Sequence, residues 1–222
     1  QPIFIENASE KENVYSMNTD TSTGFYVELI EERNTLDEIP GYMAPDFLID
    51  KCTVIRAVSI AENGLKSEEV SASYFVGIAP EEYEGCKIVS LITDSDNLFD
   101  SKKGIYVTGD TFDTALEEGG MGNRWMFWPG NYRMKGKEWE REAEFIYFNK
   151  EHEYEFSQSV GIRIAGASTR GTPQKSLSIY GRDIYDDRVI FPYEFFDGIH
   201  SSTIKLRNGG NHNDRVKIVD AF

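Results

Sequence analysis

The sequence predicts a mainly β protein, an α+β fold with few short helices. Three observations lead to this prediction. β-branched and apolar runs recur along the chain, clusters of Gly, Pro, Asn, Asp and Ser separate them, and helical periodicity is confined to the last residues. A hydrophobic content of 40%, with 13% aromatic residues, is typical of a folded chain. Its 222 residues suffice for one large or two small domains.

The first half of the chain predicts a β-hairpin. Residues 53–60 and 69–76 are both β-branched and apolar, and the Asn63-Gly64 pair between them suits a tight hairpin turn. Residues 1–50 carry short apolar pieces between polar turns, so we expect them to be irregular strands of the same small sandwich. The Gly-, Pro- and Glu-containing segment 77–85 is the expected linker to the second half.

The second half repeats the β pattern. Residues 94–100 predict a short helical turn. The alternation within 138–149 favours a strand that is apolar on both faces. Apolar runs predict four further strands, at residues 87–93, 104–108, 154–157 and 203–206.

Residues 160–182 contain the first candidate site. Val160, Ile162 and Ile164 alternate with Arg163 in a strand, a small polar turn follows at 166–171, and a second strand runs over 175–180. Lys175 stands where the second strand leaves this turn, and loop N–H groups, hydroxyls and a lysine together can hold an anion. The alternative is a plain hairpin loop with a solvated lysine. The segment matches neither the P-loop nor the kinase glycine loop.

A second candidate anion site lies near the end of the chain. Residues 207–214 join a strand to a predicted helix with Asp214 as its N-cap and Val216, Val219 and Phe222 on one face. Backbone N–H groups at a helix start attract anions, and Arg207 would add a positive charge. The alternative is a glycine-rich connector.

Other clusters carry weaker signals. Trp125, Trp128 and Tyr132 either stack on sugar rings or plug a loop onto the core. Residues 94–100 place acidic oxygens at calcium-like spacing but lack the glycine and the bidentate acid of such a loop, which favours a capped turn. The spacing of the three histidines in the sequence matches no metal-binding motif. They are His152, His200 and His212.

Charge and cysteine content exclude several classes of protein. The net charge of −15 and the lack of a basic stripe argue against nucleic acid as a partner and against anionic lipid surfaces. No apolar run is long enough to insert into a membrane. Cys52 and Cys86 do not make a disulfide framework, and either a single bridge or two buried thiols would be consistent with the sequence.

Four ordered blocks give the chain a family resemblance. They read SLITDSDNLFDSKKGIYV, NYRMKGKEWEREAEFIYF, FSQSVGIRIAGASTRGTPQKSLSIYGR and STIKLRNGG. The chain over residues 86–222 resembles the N-terminal, β-rich portion of the spore-coat CotH kinase family in its secreted bacterial form. Residues 1–78 are similar to part of the immunoglobulin-like, chitobiase C-terminal type of β-sandwich that often precedes it.

This resemblance implies a secreted or cell-surface atypical protein kinase. Such an enzyme uses ATP and Mg²⁺ to phosphorylate a protein acceptor, here an extracellular or coat protein. By position in the third block, Lys175 is the candidate phosphate-binding lysine, and Arg163 and Arg170 are candidate helpers alongside Arg207. The family's catalytic and metal-binding acids lie beyond the position of Phe222, so we expect a chain truncated at both ends, with no catalytic or metal residues of its own and no activity alone.

A different class of function stays open at this point. The immunoglobulin-like part and the aromatic loop could serve a non-catalytic cell-surface adhesion or carbohydrate-associated module. In that case carbohydrate would contact Trp125, Trp128 and Tyr132, and these rings would be exposed on one flat surface.

Overall fold

The computed structural model describes residues 52–76, 80–119, 128–171 and 175–207. Across these residues the protein is mainly β, as predicted, with one two-stranded and one five-stranded antiparallel sheet and two short α-helices. The predicted strands before residue 51 and the predicted C-terminal helix lie outside the described residues. The immunoglobulin-like domain over residues 1–78 therefore stays a prediction.

The predicted hairpin is confirmed. Its strands are β1 (Thr53–Ala57) and β2 (Val70–Tyr74), which pair antiparallel. Gly64 has φ 83°, which a residue without Cβ adopts without strain, and its N–H donates to the Ala61 carbonyl at 2.8 Å. The paired strands are shorter than predicted. Between them and the turn, the pairing is reduced to an isolated bridge between Ile60 and Lys66.

The larger sheet follows the order of the chain. Its strands are joined by antiparallel pairing in the order β3-β4-β5-β6-β7. The predicted strands at 154–157 and 160–164 are parts of a single long strand. The bounds are β3 (Ile88–Ile92), β4 (Arg141–Phe148), β5 (Tyr154–Ala165), β6 (Ser176–Tyr180) and β7 (Thr203–Leu206).

Two helices connect β3 to β4. The predicted turn at 94–100 is the helix α1 (Ser95–Phe99), and its last residues Leu98 and Phe99 are buried. The second helix, α2 (Gly109–Glu117), was not predicted. Only Gly109 and Phe112 of α2 are buried, so its sequence lacks the repeated apolar spacing that would have indicated a helix.

The strand predicted at 104–108 is wrong. Ile105, Tyr106 and Val107 are buried, at 2%, 6% and 5% exposure, but they form a bend. Their N–H groups find partners outside any sheet, since Ile105 donates to the Asn97 carbonyl and Tyr106 donates to the Leu98 carbonyl. The apolar run reflects burial against α1.

The core covers one face of the five-stranded sheet. On β5, Val160, Ile162 and Ile164 are at most 4% exposed and point to this face, whereas Arg163 between them points to the other face. Aromatic rings from β4, β5 and the segment after β6 complete the core, namely Phe145, Tyr147, Phe156, Phe191, Tyr193 and Phe195.

Candidate functional site

The environment of Lys175 is the most unusual feature of the site predicted from the sequence. This half-buried residue directly precedes β6, and its N–H donates to the Tyr106 hydroxyl at 3.0 Å. The Lys175 amine lies 4.4 Å from the centroid of the Tyr132 ring and 5.1 Å from that of the Tyr106 ring. The amine therefore sits against two π-faces that attract a cation.

Burial of this amine changes its acid–base chemistry. Loss of water, with a smaller contribution from the nearby Arg133 charge, lowers the pKa of Lys175 to about 7. An anion bound at the amine would raise this pKa, since an opposite charge favours the protonated form.

Arg133 is the second cation of the site, and it was not predicted. It ends the 3₁₀ turn Asn131–Arg133, and its guanidinium donates to the carbonyls of Trp128, at 2.8 Å, and Ala167, at 3.0 Å. Its Cζ lies 5.5 Å from the Tyr132 centroid. Burial lowers the pKa of Arg133. The residue stands in the second of the four sequence blocks, beside Tyr132, which was the only signal available for it.

Arg170 is the third cation, and it was predicted. The residue is only 9% exposed. Its Nε donates to the Gly166 carbonyl at 2.8 Å, and its Nη1 donates to the carbonyls of Tyr132 and Met134, both at 3.1 Å. Burial lowers the pKa of Arg170, and repulsion from Arg133 lowers it further. We call Lys175, Arg133 and Arg170 the cationic end.

The hydrogen bonds of the turn between β5 and β6 differ from those that we predicted. We expected its N–H groups and hydroxyls to face an anion. In the described part of the turn, the carbonyls of Gly166 and Ala167 instead accept hydrogen bonds from Arg170 and Arg133. The turn therefore positions guanidinium groups, and any anion would meet side chains here.

The structure places Arg163 away from the cationic end, whereas Arg207 lies at the same end of the sheet. Arg163 lies on the opposite face of the sheet, with its Cζ 4.3 Å from the centroid of the Tyr180 ring. The charge of Arg163 helps to lower the pKa of Arg170. Arg207 is exposed and directly follows β7, whose Leu206 pairs with Leu177, so it lies at the same end of the sheet as Lys175.

Arg163 instead belongs to a buried ion-pair network that the sequence did not reveal. The Glu140 side chain, 2% exposed, accepts two hydrogen bonds from Arg182, at 2.6 and 3.0 Å, and lies 3.4 Å from Arg163. Gly161 makes room for it, because a Cβ there would overlap the Glu140 carboxylate. The network lies on the polar face of β4, β5 and β6. Its geometry indicates a structural role.

The aromatic cluster is part of the core where it is described. Tyr132 is 6% exposed beneath the Lys175 amine, and Trp128 is half-buried against Phe112 with ring centroids 6.1 Å apart. This agrees with the core-plug alternative for these two rings. Trp125 lies outside the described residues. Carbohydrate contact through the three rings stays a prediction, and Tyr132 offers no exposed face for it.

A separate acidic cleft of about 650 Å³ lies between the hairpin and the larger sheet. Arg56 bridges it by binding Glu69 at 2.5 Å and Asp94 at 2.7 Å. Burial raises the pKa of Glu144 on its floor. No group of three or more His, Cys, Asp or Glu side chains in the described ranges is arranged to hold a metal ion. The carboxylates lining the cleft are Glu68, Glu69, Asp94, Glu142, Glu144, Asp183, Asp186 and Asp187.

The remaining candidate residues have structural partners. His152, with φ 63°, is hydrogen-bonded to the Tyr83 carbonyl at 2.9 Å and joins the β4–β5 turn to residues 80–83. His200 lies 3.2 Å from Glu194. Cys52 and Cys86 are half-buried and are not joined by a disulfide. His212 lies outside the described residues.

Comparison of the chain with family models, with curated proteins and with solved structures finds no match. No helix in the described part of the chain has both the length and the apolar composition needed to cross a bilayer.

Proposed function

We propose that the cationic end binds the phosphate groups of a nucleoside triphosphate and that the chain belongs to a secreted or cell-surface CotH-like protein kinase. One observation carries this proposal. The Lys175 amine is held against two tyrosine rings beside Arg133 and Arg170, whose guanidinium groups are fixed by main-chain carbonyls. The family resemblance supplies the identity of the nucleotide.

The chemistry of the three side chains fits phosphate oxygens. Guanidinium groups donate several hydrogen bonds in a fixed plane, which suits phosphate, and a lysine adds a compact charge. Gathering three cations in a half-buried site costs free energy, as the lowered pKa values of Lys175 and Arg170 show. A phosphate group would recover that cost, and the carbonyl contacts already hold both arginines in place.

The contacts of the cationic end suit phosphate but do not suit Mg²⁺, which prefers carboxylate ligands. The hydrogen bonds and ring contacts described for the cationic end involve carbonyls and tyrosines, and no carboxylate is among them. The described residues of the cationic end therefore do not form a site for Mg²⁺. ATP-dependent phosphorylation of an extracellular or coat protein rests on the resemblance, and the structure supports the phosphate-binding part of it.

Titration with ATP tests the proposal. We expect isothermal titration calorimetry to detect ATP binding by the wild-type chain and Lys175→Ala to weaken it at least about tenfold, since a charge-assisted contact contributes about 1.5–3 kcal/mol. Lys205→Ala is the matched control, because Lys205 is exposed on β7. Binding that is equal in both variants, or absent from the wild-type chain, would contradict the proposal.

A second variant separates charge from shape. Arg170→Lys keeps a positive charge but loses the planar group that reaches three carbonyls. We expect it to weaken ATP binding as well, while Lys175→Arg retains part of the affinity. Circular dichroism of each variant checks that the sheet is retained.

A further inference from the structure

We infer that the β1–β2 hairpin is a lid over the acidic cleft and that Arg56 is the strap that holds this lid closed. When the strap breaks, repulsion between carboxylates opens the cleft. This device is independent of the proposed function, because Lys175, Arg133 and Arg170 do not line the cleft.

The hairpin meets the larger sheet through a polar surface. The Oγ atom of Ser73 on β2 lies 2.7 Å from the Oγ atom of Ser90 on β3. Val70 and Tyr74 have the opposite parity to Ser73 along β2 and therefore point away from the larger sheet, with 69% and 43% exposure. The apolar side chains of this strand thus contribute little to holding the hairpin on the sheet.

The outer part of the hairpin is exposed and keeps its own shape. All residues from 56 to 70 are exposed. The Ala61 N–H donates to the Leu65 carbonyl at 2.8 Å, and the Ser67 N–H donates to the Ser59 carbonyl at 2.9 Å. We call residues 57–69 the outer arm. Because these hydrogen bonds lie within the arm, it can move away from the sheet as one unit.

Arg56 ties the outer arm to the larger sheet. Its Nε donates to Glu69 on the arm at 2.5 Å, and its Nη1 donates to Asp94, which directly precedes α1, at 2.7 Å. The side chains of these two acids are 44% and 65% exposed, and exposed ion pairs are weak. The base of the hairpin has a separate contact, since the Phe75 and Phe148 rings pack edge-on with centroids 5.5 Å apart. Loss of the strap should therefore free the arm while the base stays attached.

The charges around the cleft favour opening. Glu68 and Glu69 line it from the outer arm, and Asp183 and Asp187 line it from the segment that follows β6. Among the lining residues in the described part of the chain, Arg56 is the one cation. Like charges on the arm and on this segment repel each other, and Arg56 offsets part of that repulsion. The balance between closed and open cleft therefore depends on this one side chain.

Pulsed electron–electron double resonance measures the width of the cleft. Nitroxide labels are attached at Leu65→Cys on the outer arm and at Ile184→Cys on the segment after β6, where the native side chains are 68% and 72% exposed. The whole chain is used, with Cys52→Ser and Cys86→Ser so that no other thiol is labelled. With the strap intact, we expect one dominant short distance between the labels.

Removal of the strap tests its role. Asp94→Asn takes away the contact on the sheet side and leaves the hairpin sequence unchanged. We expect the population at longer distances to rise at least about fivefold, and Arg56→Gln to give a similar rise. Asp187→Asn is the matched control, because it removes the same charge from the cleft but no contact of Arg56. No rise with Asp94→Asn, or an equal rise with Asp187→Asn, would overturn the inference.

Salt tests the repulsion that opens the cleft. Between 0.01 M and 0.15 M ionic strength the screening length falls from about 30 Å to about 8 Å, so the population at longer distances in Asp94→Asn should fall at least about twofold. A population that does not respond to salt would overturn the electrostatic cause of opening.

Discussion

Lys175 shows two opposing effects at the scale of one residue. A cation against an aromatic face gains about 0.5–2 kcal/mol, and Lys175 contacts two such faces. Burial of the amine, with a smaller contribution from the Arg133 charge, acts in the opposite direction and lowers the pKa of Lys175 to about 7. The residue is therefore held at a cost to the folded state, as is common for residues kept for binding or chemistry.

Replacement of this lysine by an apolar side chain should stabilise the fold in a pH-dependent way. Between the folded pKa of about 7 and the ordinary 10.5, the unfolded chain binds more protons than the folded chain, so wild-type stability rises with pH. Lys175→Met removes that titration. Urea denaturation should therefore show a gain in the free energy of unfolding that is largest below pH about 7 and shrinks towards pH about 10.

The control for this experiment is Lys205→Met. Lys205 is exposed on β7, and its substitution should change stability by a small amount that does not vary with pH. A gain for Lys175→Met that is constant across the pH range would show that the amine is not desolvated.

At the scale of one element, β5 depends on a glycine in its centre. Gly161 passes the Glu140 carboxylate so closely that a Cβ would overlap it. Gly161→Ala must therefore displace a buried carboxylate from Arg182 and Arg163, although alanine alone would stiffen the strand favourably. We expect the free energy of unfolding to fall by about 2 kcal/mol.

A double-mutant cycle identifies the cause of this loss. In a Glu140→Ala background the obstructing side chain is absent, so Gly161→Ala should cost less than about 0.5 kcal/mol. Chemical denaturation of the four proteins measures the coupling. Additive effects would mean that Gly161 is needed for its backbone alone.

Asp100 should stabilise the end of α1 in a way that acid removes. Its Oδ1 accepts hydrogen bonds from the N–H groups of Lys103, at 2.8 Å, and Lys102, at 2.9 Å. These bonds, the one from Lys103 first, hold the pKa of Asp100 below its ordinary 3.8. Asp100→Ala should therefore lower the thermal midpoint at neutral pH, and the difference should disappear as the pH falls below 3.8. Glu117→Ala, exposed at the end of α2, should show no such difference.

The elements also show what sequence reasoning could reach. Local patterns predicted both sheets' main strands, because the alternation around Arg163 and the Asn63-Gly64 turn are visible within a few residues. The bend at Tyr106 was missed because its burial against α1 gives the same short apolar run as a strand, and the helix α2 was missed because few of its residues are buried.

The candidate site was predictable only in part for the same reason. Lys175 and Arg170 stand next to an evident turn, and both belong to the cationic end. Arg133 reaches that end from 34 residues away, through the carbonyl of Ala167, and no local pattern indicates such a contact. Arg163, the other predicted helper, lies on the polar face because the side chains of β5 alternate between the two faces. This alternation is visible in the sequence.

At the scale of the whole molecule, the charge is distributed unevenly. The chain carries a net charge of −15. Eight carboxylates line the cleft beside the hairpin, whereas three cations meet at the cationic end. A nucleotide polyanion therefore approaches through a repulsive long-range field and is attracted only at short range.

This distribution predicts an unusual salt dependence of the association rate. The screening length shortens from about 30 Å at 0.01 M ionic strength to about 8 Å at 0.15 M, so added salt removes long-range repulsion before it weakens half-buried contacts. The association rate constant of ATP, followed by stopped-flow mixing, should therefore rise severalfold over this range. Lys205→Glu, which makes the exposed surface more acidic, should steepen the rise. A rate constant that falls with salt would mean that the cationic end dominates the field along the whole approach.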